Sequence, residues 1–183
     1  DKYKKNRFFG VDNIYGGYVA TKYLIQKDLR NIATITSKRD LPEFEDRTKG
    51  YKKALKEFDL EINTNYIYER EITFESCYKW VKENRNVIME LNGIFVQTDL
   101  MAFGVMESLK KHGINIPEDI SVIGYDDIEY SKYFSPNLTT IHQPLEDLVK
   151  KGCQNLINRI EKNKIKEDKR VFKPYLVERD SVK

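Results

Sequence analysis

Residues 93–144 read GIFVQTDLMAFGVMESLKKHGINIPEDISVIGYDDIEYSKYFSPNLTTIHQP. An apolar run opens this stretch at Gly93 and ends in Thr98-Asp99, a pair suited to capping a helix. Ala102, Val105, Met106 and Leu109 then recur at helical spacing, and Gly113 stops the helix. Pro117 suits the connecting turn. A second apolar run, residues 121–125, ends in Asp126-Asp127. Strand, helix and strand in this order predict a parallel sheet. Its strands end on one edge, where open α/β sheets bind ligands.

The same alternation extends outward. It predicts strands at 7–12, 31–36 and 66–68, and helices at 16–26, 46–58 and 75–89. Downstream it predicts an extended 139–142, a helix over 144–162, a charged connector at 162–170 and a closing strand at 172–178. The composition suits one soluble globular domain or a little more: 183 residues, 40% hydrophobic and 33% charged. The net charge of +3 comes from interspersed acids and bases, so no strong nucleic-acid footprint stands out. Cys77 and Cys153 make neither a metal motif nor a disulfide framework, and free thiols in a reducing cytoplasm are the simple expectation. No apolar run reaches membrane-spanning length, and the charged start lacks the apolar segment of a signal peptide. Two distant histidines, His112 and His142, offer no catalytic or metal spacing. Neither an enzyme nor a cofactor is expected.

Five phrases carry a resemblance. VDNIYGGYVATKYLI (11–25), DRTKGYKKALKEF (46–58), TDLMAFGVMESLKKHGINIPEDISVIGYDD (98–127), LTTIHQP (138–144) and PYLVERDSV (174–182) stand in this order. Together they resemble the effector-binding core of bacterial repressors of the lactose/galactose repressor (LacI/GalR) family, over nearly the whole chain. The resemblance implies an α/β, periplasmic-binding-protein-like (type I) fold. Its two subdomains, each with a parallel sheet, are joined by three crossover strands, and the effector lies between them. It implies that residues 14–141 and 172–183 form the C-terminal subdomain, and that 1–13 and 142–171 belong to the N-terminal one. Most of that N-terminal subdomain and a helix-turn-helix headpiece are expected outside this chain.

The resemblance also implies site residues, each with a competing reading. Arg47 would donate to ligand oxygens through its planar fork; the alternative is a surface ion pair with Glu43 or Glu45. Asp126, at a strand end, would accept from ligand hydroxyls, with Asp127 as a cap; the alternative makes the two merely turn and cap residues. Thr98 replaces an asparagine that contacts ligand in some relatives, and capping is an equal alternative for it and the better one for Asp99. Asn13 and Tyr15 would reach the cleft from the first crossover, with Asp12 as a bridge; turn chemistry is the alternative. Gln143, at a later crossover, has a weaker case. Ile72 stands near where several relatives have a stacking aromatic, so it and Phe74 read better as packing residues.

These readings point to the ligand-sensing part of a repressor, with a sugar or sugar derivative as effector, operator DNA reached through the headpiece, a cytoplasmic location and a homodimer. The contact of that dimer is expected near the 16–26, 46–58 or 75–89 helix. An extracytoplasmic solute-binding protein for sugar uptake shares the fold and is the alternative.

Overall fold

The computed structural model describes residues 8–161 and 169–183. The residues between them, which hold most of the expected charged connector, and residues 1–7 lie outside that description. The strands are β1 (Phe8–Val11), β2 (Ile32–Ser37), β3 (Ile67–Arg70), β4 (Gly93–Val96), β5 (Ser121–Asp126), β6 (Thr139–His142), β7 (Lys169–Phe172) and β8 (Tyr175–Val177). The helices are α1 (Asn13–Gln26), α2 (Pro42–Glu57), α3 (Phe74–Glu83), α4 (Arg85–Ile88), α5 (Asp99–Lys111) and α6 (Leu145–Ile160).

Six strands form one sheet in the order β3-β2-β4-β5-β6-β8. All its pairings are parallel except β6 with β8. A separate parallel pair joins β1 to β7. Alternation along the strands feeds two cores. Ile94 and Val96 of β4 face Trp80 and Val81 of α3 and Met101, Val105 and Leu109 of α5. Phe95 between them faces the other way, with Ile123 and Tyr125, onto Leu24 of α1 and Tyr51 and Leu55 of α2. Helices thus cover both faces of the sheet, as a mostly parallel sheet requires. Chain order reverses between β2 and β4, and such a switch point opens a crevice outside the carboxyl ends of the strands.

Several boundaries differ from the sequence reading. Helix α1 starts at Asn13 rather than Gly16, because the Asp12 carboxylate accepts the Tyr15 N–H and caps it. Helix α2 starts at Pro42 rather than Asp46. Proline lacks an N–H that the first turn would leave unpaired, and Phe44 is buried there. The single helix expected at 75–89 is broken at Asn84, whose φ is −119° and whose Nδ2 donates to the Trp80 carbonyl. The expected closing strand is two strands in two sheets. Phe172 pairs with Val11, whereas Leu176 pairs with Ile141. Buried Pro174 lies between them and has no N–H for a ladder.

Candidate functional site

The carboxyl ends of β4, β5 and β6 bring polar side chains together around Arg47. This arginine lies in the second turn of α2 and is only 4% exposed, so a surface pairing with Glu43 or Glu45 is ruled out. Its Nε donates to Asn13 Oδ1 at 2.9 Å and its Nη1 donates to the Gln97 carbonyl at 2.5 Å. The guanidinium carbon lies 3.7 Å from the centre of the Tyr125 ring, an arrangement in which a cation is attracted to the π face. Nη2 is 3.9 Å from Asp126 Oδ1. Tyr125 Oη donates to the same Asn13 oxygen at 3.2 Å. Burial pushes the Tyr125 hydroxyl up to about 12.

Close helix packing makes this contact possible. A Cβ on Gly17 would collide with the backbone of Arg47, and one on Gly50 with the Ile14 carbonyl. The two glycines let α1 and α2 approach closely enough for Asn13 to reach Arg47.

Asp126 ends β5 and accepts from Gln143 Nε2 at 2.7 Å. The Asp99 backbone N–H also contributes to its carboxylate. Burial raises the Asp126 carboxyl to about 7, against the opposing pull of Arg47 and with the nearby Asp99 charge adding to the rise. Asp99 itself is fully buried beneath the loop. It accepts from Thr140 Oγ1 at 2.6 Å, Ser131 Oγ at 2.7 Å and the Ile128 N–H at 3.0 Å. The capping expected of Asp99 therefore falls to Thr98, whose Oγ1 accepts the Met101 N–H at 3.3 Å. Asp127 is not a cap either. Its oxygens are taken by Arg179 and His142.

Arg47, Asn13, Asp126 and Gln143 thus form one connected group, and Thr98 lies on the same edge as the α5 cap. Tyr15, in the first turn of α1, is 37% exposed and sits 6.4 Å from Tyr18 and 5.1 Å from the Lys173 ammonium, centre to centre. Ile72 follows β3 and packs, like Phe74, against the edge of the core, so it is a packing residue in this structure. A depression of about 780 Å³ opens beside the group, between Asp126, Gln143, Pro144 and Tyr175.

The sequence reading missed Gln97. It is fully buried. Its Oε1 accepts from Thr36 at 2.9 Å, and its Nε2 donates to Thr48 at 2.9 Å and Thr34 at 3.2 Å. It therefore ties β2 and α2 to β4 while its carbonyl holds Arg47. The signal was present: a polar residue directly after the apolar run GIFV, at the carboxyl end of a strand. Among the described residues no His, Cys, Asp and Glu side chains are grouped to hold a metal ion.

Residues 21–182 match the model of the periplasmic binding protein-like domain. The chain is 40% identical over 170 residues to the HTH-type transcriptional repressor PurR of Vibrio vulnificus (strain CMCP6), covering 92% of this chain and 50% of that protein. It is 44% identical over 172 residues to the PurR repressor of Vibrio atlanticus (strain LGP32), with the same coverage. The chain spans about half the length of the curated relatives it matches. Among solved structures, a complex of the transcriptional regulator CelR with cellobiose superposes with a TM-score of 0.86 at 29% identity, over 93% of this chain and 52% of that one. A LacI family regulator from Enterococcus faecium with bound ribose superposes with a TM-score of 0.87 at 27% identity, over 94% and 64%. These relatives are transcriptional regulators, not enzymes. On the domain match, the topology and these relatives, the chain belongs to the periplasmic binding protein-like domain family, in the form carried by LacI-family transcriptional regulators.

Proposed function

We propose that this chain is the effector-sensing part of a cytoplasmic transcriptional repressor. A small hydroxyl-rich ligand, a sugar or sugar derivative, would bind over the carboxyl edge of the six-stranded sheet. The observation that carries this reading is the connected group of Arg47, Asn13, Asp126 and Gln143 beside the switch point. Arg47 spends some of its donors on the protein, and its Nη2 remains directed toward Asp126. A ligand hydroxyl between the two would accept from Arg47 and donate to Asp126. Gln143 and the Thr98 hydroxyl would add neutral hydrogen bonds. Tyr15 would supply a rim contact, and Ile72, packed against the core, would bring no stacking ring. The bound cellobiose and ribose in the two structural relatives support a sugar as the ligand class.

The subdomain division follows the same reading. Residues 14–141 and 172–183 would form the C-terminal subdomain, and residues 1–13 and 142–171 would belong to the N-terminal one. The separation of the β1–β7 pair from the six-stranded sheet supports this division. The ligand would favour one angle between subdomains, since only a difference in affinity between states can shift their balance. In the intact protein that angle would set operator affinity through a homodimer and a DNA-binding headpiece.

The test is a thermal-shift and calorimetric screen of the intact protein against ribose, cellobiose, phosphosugars and nucleobases. A cognate sugar at a hundred times its dissociation constant should add about 2.7 kcal/mol of stability. Stabilisation by a nucleobase and by no sugar would overturn the ligand class while leaving the sensing role intact.

A further inference from the structure

Strand β5 ends in two consecutive non-glycine residues with positive φ: +119° at Asp126 and +57° at Asp127. Aspartate tolerates the second angle, which is left-handed helical, but the first lies outside the usual regions for a residue with a Cβ. Such a conformation persists only where its surroundings over-determine it.

The surroundings here are specific. Both Asp127 oxygens are occupied. Arg179 Nη2 donates to Oδ1 at 2.6 Å, and His142 Nδ1 donates to Oδ2 at 2.8 Å. The carboxylate can only accept, so the His142 proton of this bond sits on Nδ1. Each donor is itself fixed. Arg179 Nη1 donates to the Leu138 carbonyl at 2.7 Å, and the Arg179 N–H to Thr139 Oγ1 at 2.9 Å. His142 ends β6 and packs against the Tyr175 ring at 4.7 Å between centroids. One residue further on, the Ile128 N–H is held by buried Asp99. The chain is therefore tied down immediately after Asp126, while the Asp126 carboxylate itself is left to Gln143, Arg47 and the cleft edge.

We propose that Arg179, acting through Asp127 together with His142, is a positioning residue that holds the strained turn and thereby keeps the Asp126 carboxylate over the cleft edge beside Arg47. The role gives the Arg-Asp of the closing phrase PYLVERDSV a task that the ligand reading left unassigned. The proposal builds on the reading of Asp126 as a binding group, but its test uses no ligand, so the two can fail separately.

The test follows the Asp126 carboxyl by carbon-13 NMR titration of the intact protein, with Asp126→Asn identifying the signal. Arg47 and Asp99 are the charged groups that face this carboxyl in both wild type and variants. The wild-type carboxyl should titrate at about 7. In Arg179→Met the turn should relax into water, and the midpoint should fall by about 2 pH units toward the ordinary carboxylate value. Asp127→Asn, which keeps the shape and loses the charge partner, should move it in the same direction. Arg179→Lys should restore part of the shift. If Arg179→Met does not fold, Asp127→Asn decides alone. Folded variants in which Asp126 titrates as in wild type would reduce the clamp to a fastening of the C-terminal segment and overturn the proposal. A wild-type midpoint near the ordinary value would overturn it as well.

Discussion

Arg47 is buried and Asp126 is partly buried, and this has consequences for both. Removing the Arg47 side chain strands the Gln97 carbonyl and leaves the Asn13 oxygen to Tyr125 Oη alone. Arg47→Ala should therefore cost about 1–3 kcal/mol of folding stability as well as weaken effector binding by about 1.5–3 kcal/mol. Urea denaturation measures the first effect and calorimetry of the intact protein with its cognate effector the second. Asp126→Ala should weaken binding by a similar amount; wild-type affinity in both variants would refute the site. Asp126 also predicts a pH dependence. The folded carboxyl keeps its proton up to about 7, whereas the unfolded one releases it at about 3.9. Between those values the folded chain binds the extra proton, so the contribution to stability is fully present below about 3.9 and is lost as pH rises through about 7. The ceiling on that loss is about 4 kcal/mol. Asp126→Asn should flatten this part of the curve of melting temperature against pH; an unchanged slope would place the carboxyl in water.

At the scale of elements, the site depends on how closely α1 and α2 pack. Gly17 and Gly50 have no room for a methyl group, because the facing atoms are backbone and cannot swing aside. Gly50→Ala should therefore cost about 1–3 kcal/mol through overpacking. It should also weaken effector binding, because spreading the helices pulls Asn13 off Arg47. Chemical denaturation of the chain checks the first effect, and a variant as stable as wild type would show that the helices can separate without cost. Helical periodicity anticipated the apolar stripes of α1, α2 and α5, since each buries a face against the sheet. It did not anticipate the break at Asn84. Periodicity continues through Val87 and Ile88, whereas the backbone leaves the helical region at Asn84 alone, where the side chain joins the backbone N–H on the Trp80 carbonyl.

For the whole molecule, α6 leaves an apolar face uncovered among the described residues. None of its residues is buried, and Leu145, Val149, Leu156, Ile157 and Ile160 are all about half exposed or more. An apolar face of this kind attracts a partner. The isolated 183-residue chain should therefore bind a hydrophobic dye and self-associate, and Val149→Lys with Leu156→Lys should suppress both. The intact protein should be a dimer by light scattering at micromolar concentration, since a two-fold operator needs paired headpieces. A monomer there would count against the repressor reading. The isolated chain, with a net charge of +3, should give no sequence-specific gel shift with operator DNA, and a salt-resistant specific shift would contradict the assignment of DNA binding to a headpiece.

Local chemistry alone determined the alternation of strands and helices, the parallel sheet and the edge on which its strands end. Apolar period, capping residues and turn residues act over a few positions and can be read along the chain. The resemblance singled out Asp126, Arg47 and Asn13, and the structure brings the three together. The tertiary structure decided what depends on long-range neighbours. It made Asp99 a buried anchor and left the cap to Thr98, because Thr140 and Ser131 arrive from distant segments to satisfy the carboxylate. It divided the last strand between two sheets, because β1 and β6 each offer an edge on either side of Pro174. It turned Gln97 into the support of Arg47 and brought Arg179 to Asp127 across 52 positions of sequence. A buried polar group must find its partners wherever the fold delivers them, and no window of adjacent residues contains that information.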